Sequence, residues 1–150
     1  MRRSVLPVLP VLLAAAVLSG CSGAGETACT LLGMDSQVSL AWRASDFGPA
    51  NAASLRFCVG EVCEERKSGN PGDPTNHLSI PLPEADGPGP VQVRLTVTST
   101  ADGKEIVTDG TEAELKEQHP NGEGCDPTAW TATVRAEPAG LTDPEGLPLR

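Results

Sequence analysis

Between Val91 and Thr98 the chain alternates without a break. Val91, Val93, Leu95 and Val97 are separated by Gln92, Arg94, Thr96 and Thr98. A period of two places the four apolar side chains on one face of an extended strand and leaves the other face to water. Shorter stretches repeat the pattern. Val38, Leu40 and Trp42 form one, Leu55 to Val59 and Val62 to Arg66 two more, and Trp130, Ala132, Val134 and Ala136 the last. His77 to Leu82 reads as a short strand limited by Pro81 and Pro83, and Glu105 to Thr108 as the return partner of the Val91 strand. The 16 glycines and 14 prolines fall largely between these segments. They mark turns and leave little room for a long helix. The chain is therefore expected to be all-β.

Two turns can be read in detail. Gly60-Glu61 joins two alternating segments as a two-residue hairpin loop of the II′ type. That register sets Val59 opposite Val62, Cys58 opposite Cys63 and Arg56 opposite Glu65, an opposite-charge pair on the outer face. It also aims Glu64 inward beside Phe57, which marks the second strand as short or at an edge. Ala101-Asp102-Gly103 reads as a three-residue hairpin loop with glycine in the left-handed position. Thr111 to Lys116 fits both a helical capping box and an alternating strand. The turn signals that follow arrive too soon for a long helix, so strand is expected.

The chain holds five cysteines, so one has no partner within it. Facing positions in the hairpin, with Cα atoms ~4.5 Å apart in a non-hydrogen-bonded pair, predict a Cys58–Cys63 disulfide. Cys29 and Cys125 then pair by elimination, leaving Cys21. A redox role for Cys58 and Cys63 is disfavoured, because four residues separate them where a thioredoxin-type motif has two.

Cys21 closes the sequence Leu18-Ser19-Gly20-Cys21. Ahead of it stand Arg2 and Arg3 and an uncharged apolar stretch, Val5 to Leu18, of 14 residues. That is short of the ~20 residues that span a bilayer as a helix and suits a signal core. The four residues resemble the lipobox of bacterial lipoproteins. The resemblance implies a diacylglyceryl group on the Cys21 sulfur and cleavage just before it. Residues 1–20 are then the signal peptide, and the membrane is a partner through Cys21 on the extracytoplasmic face of the cell membrane. An oxidising compartment fits the paired cysteines. The order of the hairpin cysteines, Asn121-Gly122, Cys125 and Trp130 also resembles small disulfide-bonded lipoproteins of actinobacterial type, a likeness that implies no activity.

Cleavage there leaves 130 residues and removes two of 11 basic residues while keeping all 20 acidic ones, a net charge of −11. Such a surface repels nucleic acid and anionic headgroups, so no nucleic acid partner is expected. The expected layout is a tether at residues 21–27, a domain at residues 28–137 and a flexible tail at residues 138–150. The domain is expected to be an immunoglobulin-like β-sandwich of about seven short antiparallel strands. The chain has no tyrosine, so the tyrosine corner of strict immunoglobulin domains is absent. Residues 67–76 and 84–90 are expected to be turn-rich loops, the first of them mobile, both directed away from the membrane.

Motifs for chemistry are sparse. His77 and His119 are the only histidines, and no His-Glu-x-x-His spacing is present. No Gly-x-Ser-x-Gly elbow and no EF-hand carboxylate spacing occurs. Glu112, Glu114 and Glu117, near Glu105 and Asp109, read as a solvated strand face, and Trp42 and Trp130 as core. No cofactor, metal or catalytic residue is expected. The leading reading is a binding or interaction module, not an enzyme, with an envelope protein or polymer as partner. The alternatives are a small secreted hydrolase using His77 or His119, and a secreted inhibitor presenting Gly60-Glu61.

Overall fold

A computed structural model describes residues 28–82 and 87–144. The leader, Cys21, the tether and residues 145–150 lie outside the described residues.

The nine strands are β1 (Gln37–Trp42), β2 (Ala53–Val59), β3 (Val62–Lys67), β4 (Asn76–Pro81), β5 (Pro90–Ser99), β6 (Glu105–Glu114), β7 (Lys116–Gln118), β8 (Ala129–Glu137) and β9 (Gly140–Thr142). They form two sheets. One has the order β4-β1-β8-β7, with β9 also on β8; the other has the order β3-β2-β5-β6. The alternation read in the sequence decides which side chains face inward. Val38, Leu40 and Trp42 from β1, Leu55 and Phe57 from β2, and Val93, Leu95 and Val97 from β5 are all buried in one shared core. Ile80, Val134 and Ala136 complete it from the first sheet.

Two devices join the sheets. Leu115 is buried at the point where the chain leaves β6 in one sheet and enters β7 in the other, and its N–H donates to the carbonyl of Gly89 at 3.2 Å. A short 3-10 turn, Ala44–Phe47, carries the chain from β1 toward β2 and buries Phe47.

The hairpin register is Val59↔Val62, Cys58↔Cys63, Phe57↔Glu64 and Arg56↔Glu65. Gly60 has φ +57° and Glu61 does not share the positive sign, as a II′ turn requires. Glu65 faces Arg56 in this register, yet its carboxylate takes a hydrogen bond from Ser54 Oγ at 2.5 Å. Glu64 is exposed although it faces the buried Phe57, and β3 is the edge strand of its sheet. Residues 111–116 are strand, divided between β6 and β7 around Leu115.

Four expectations need correction. The described residues form nine strands, not about seven. They are not all antiparallel: β1 and β8 run parallel, from Gln37↔Thr131 to Trp42↔Ala136. The domain does not end at residue 137. Gly140, at φ +127°, turns the chain back, β9 pairs with the end of β8, and Leu141 is buried in the core. Ordering this segment is worthwhile because Leu141 removes an apolar side chain from water, ~1.5–3 kcal/mol when burial is complete.

The last correction concerns residues 67–76 and 84–90. β4 pairs Asn76 with Trp42 at one end of β1 and Pro81 with Gln37 at the other. The first loop therefore lies at the Trp42 end. Gly87 to Pro90 lead into β5 at the Gln37 end, where Leu82 N–H donates to Ser36 O at 2.8 Å. The first loop and the described part of the second, residues 87–90, therefore sit at opposite ends of the molecule.

Candidate functional site

The Gln37 end is organised around one side chain. Asn121 follows Pro120 in a glycine-rich turn, with Gly122 at φ +100° and Gly124 at φ +77°. The turn closes through Gly122 N–H to His119 O at 3.0 Å and Cys125 N–H to Gly122 O at 3.1 Å. Asn121 is 5% exposed. Its Oδ1 accepts from Thr30 Oγ1 at 2.6 Å and from Leu32 N–H at 2.7 Å. Its Nδ2 donates to Leu32 O at 3.0 Å and to Asp126 O at 2.6 Å. Every donor and acceptor of the amide is thus engaged in holding the N-terminal segment. The Cys29–Cys125 disulfide, with Cα atoms 5.7 Å apart, closes the same junction.

The segment so held is not covered. Leu31 is fully exposed, Leu32 is 59% exposed and Met34 37%. Val62, beside the Gly60-Glu61 tip, is exposed at this end too.

At the Trp42 end the buried polar residue is Ser68. Its carbonyl accepts from Trp42 Nε1 at 2.9 Å, its Oγ accepts from Ala53 N–H at 3.3 Å, and its N–H donates to Ala53 O at 2.8 Å. The loop expected to be mobile therefore begins at a pinned, buried residue. Gly69, at φ +89°, then starts the exposed turn, and Gly69 O accepts from Asn51 N–H at 2.8 Å.

His119 Nε2 lies 3.2 Å from Glu117 Oε1, and its Nδ1 is buried with no hydrogen-bond partner. No hydroxyl is hydrogen-bonded to it among the described residues. His77 stands exposed on edge strand β4, far along β1 from that pair. Three carboxylates of β6 are separately engaged. Glu105 accepts from Thr108 Oγ1 at 3.1 Å, Glu112 from Gln92 Nε2 at 2.6 Å, and Asp109 from the N–H of Leu141 at 2.7 Å. Among the described residues no cluster of three or more His, Cys, Asp or Glu side chains is placed to hold a metal ion. Trp42 is buried, and Trp130 is half-buried against the core.

An open groove of about 500 Å³ runs along the flank where β6 passes from sheet to sheet. Ala113, Ala132 and Val134 floor it, and Glu112, Glu114, Lys116 and Asp143 stand around it.

The second disulfide, Cys58–Cys63, has Cα atoms 4.0 Å apart across the β2–β3 hairpin. Sequence reading placed Asn121 and Ser68 in turns without giving either a role, and it did not single out the Leu31–Met34 segment. The signal for the last was present: Leu31, Leu32 and Met34 follow a cysteine and do not keep the period of the strand behind them.

These features define a two-sheet β protein with two disulfides. No protein-family model, no curated protein and no solved structure matches the chain.

Proposed function

We propose that this chain is a lipid-anchored extracytoplasmic domain that binds a partner at the cell envelope, with diacylglycerol on Cys21. The observation that carries the reading is the cysteine arithmetic. Four of the five cysteines are paired in two disulfides, and the fifth closes Leu18-Ser19-Gly20-Cys21 behind an apolar leader. Disulfides persist in exported proteins and are rare in the cytosol. Two acyl chains hold a protein to a bilayer stably where one does so only marginally.

The chain enters the domain at the Gln37 end, where Cys29 is fixed to Cys125. That end faces the membrane. The Trp42 end, with the turn at residues 69–75 and the β5–β6 hairpin, faces outward and offers the surface for an envelope protein or polymer.

We read the architecture as an immunoglobulin-like sandwich with an altered edge. The order β3-β2-β5-β6 and the β1–β4 pair follow the C′-C-F-G sheet and the B–E pair of that fold. Beside β1, β8 occupies the place of a first strand and runs parallel. This likeness concerns architecture and carries no activity.

The test is metabolic labelling of expressing cells with a radioactive fatty acid. Label enters the wild-type protein and is absent from Cys21→Ala. Label retained in the variant defeats the reading.

A further inference from the structure

We infer that the Leu31–Met34 segment is a membrane-contacting finger that seats the domain against the bilayer surface. The inference rests on the lipid-anchor reading and adds an orientation to it.

Among the described residues five large apolar side chains are exposed: Leu31, Leu32, Met34, Val62 and Ile106. The first four lie at the Gln37 end. The backbone that carries Leu31 and Leu32 is held on both sides of Leu31. Leu32 is held by Asn121 through both its N–H and its carbonyl, and Cys29 is bonded to Cys125. A backbone fixed this firmly that still turns adjacent leucines to solvent presents an apolar surface needing a cover.

The length of the connection names the cover. Seven residues separate Cys21 from Cys29. Even fully extended, a connection of that length cannot exceed ~30 Å. Lipid on Cys21 therefore keeps Leu31 within one tether length of the bilayer. Residues 28–36 contain no lysine or arginine and one carboxylate, Asp35. Contact is therefore apolar, at the boundary between headgroups and acyl chains, and it favours zwitterionic over anionic lipid.

The experiment uses the full lipidated protein in vesicles of phosphatidylcholine brominated along its acyl chains. Leu31→Trp and, separately, Met34→Trp place a reporter on the finger, and Ile106→Trp places one at the opposite end. Spectra are taken as differences from the unsubstituted protein, which subtracts Trp42 and Trp130. The finger reporters shift to the blue and lose most of their intensity to bromine, while the Ile106→Trp reporter keeps both its wavelength and its intensity. Protein that floats with the vesicles but shows water-exposed, unquenched emission at both finger positions overturns the inference and leaves the anchor standing. A blue shift without quenching overturns it in favour of a protein partner or second copy on the finger. Failure to float defeats the anchor reading and this inference with it.

Discussion

The two ends of the molecule solve the same problem by different means. Each must hold irregular chain against a sheet. At the Gln37 end the solution is long-range. A disulfide spanning 96 residues and one buried asparagine tie residues 29–32 to a turn near the end of the domain. At the Trp42 end it is local, an extension of the β2–β3 hairpin. One step past the last pair of β2 and β3, Ser68 N–H donates to Ala53 O and Ser68 Oγ accepts from Ala53 N–H, and Trp42 caps the junction from the facing sheet. The first arrangement fixes chain that has no strand partner. The second continues a ladder already formed. The long-range end should therefore depend more on individual side chains.

The largest effect that tests this contrast is covalent. In the chain-entropy account a loop of ~100 residues contributes about 4.7 kcal/mol, and a loop of ~5 residues about 2 kcal/mol. Urea unfolding of the double variant Cys29→Ser/Cys125→Ser should show a loss near the larger figure, and Cys58→Ser/Cys63→Ser near the smaller. Equal losses, or a reversed order, would break the comparison.

What could be read in advance follows the same division. Strands whose burial is set by alternation were legible: β1, β2 and β5 lie where Val38 to Trp42, Leu55 to Val59 and Val91 to Thr98 put them. So was the register of the β2–β3 hairpin, because a two-residue turn fixes it locally. The parallel pairing of β1 with β8 was not, since nothing in either segment records which distant strand lies beside it. β9 was missed because three residues bearing one buried leucine carry no period, and prolines on both sides suggest a frayed end. Ser68 and Asn121 resemble ordinary turn residues, and only tertiary packing buries them. The candidate site was less legible than the fold. A finger defined by exposed apolar residues shows its meaning once the backbone is known to be fixed.

Smaller side-chain truncations sharpen the contrast. Asn121→Ala removes the partners of Leu32 N–H, Leu32 O and Asp126 O in a half-buried junction, and a cost of about 2–3 kcal/mol is expected from groups left unsatisfied there. Ser68→Ala removes one 3.3 Å side-chain bond and keeps the single backbone bond from the N–H of residue 68 to Ala53 O. Its cost should be about 1 kcal/mol, as for a typical neutral hydrogen bond. Chemical denaturation of both variants tests the ranking. Hydrogen exchange locates the effect: Leu32 N–H should lose protection in Asn121→Ala, whereas in Ser68→Ala the Ala53 N–H should lose protection and the N–H of residue 68 should keep it. Greater loss from Ser68→Ala would mean that the Trp42 end is the more side-chain-dependent of the two.

The smallest effect lies in the β5–β6 hairpin, at the tip of the Trp42 end. The Ser99 hydroxyl, then the backbone N–H and ammonium of Lys104, hold the Asp102 carboxyl below its ordinary value. The ammonium lies 3.2 Å from the carboxylate and is largely exposed. A carboxyl whose folded value is depressed adds stability above its unfolded value of ~3.9 and loses it as pH falls through the folded one. Asp102→Asn should therefore melt slightly below the wild-type protein at pH 7. The gap should close as the buffer is taken below pH ~4, and it should narrow at ~1 M salt, where exposed charges are screened within ~3 Å. Melting temperatures measured across that series decide the point. A gap that widens toward acid would remove the hydrogen-bonded carboxylate from the account of this hairpin. The glycine at φ +70° would then be left as its chief determinant.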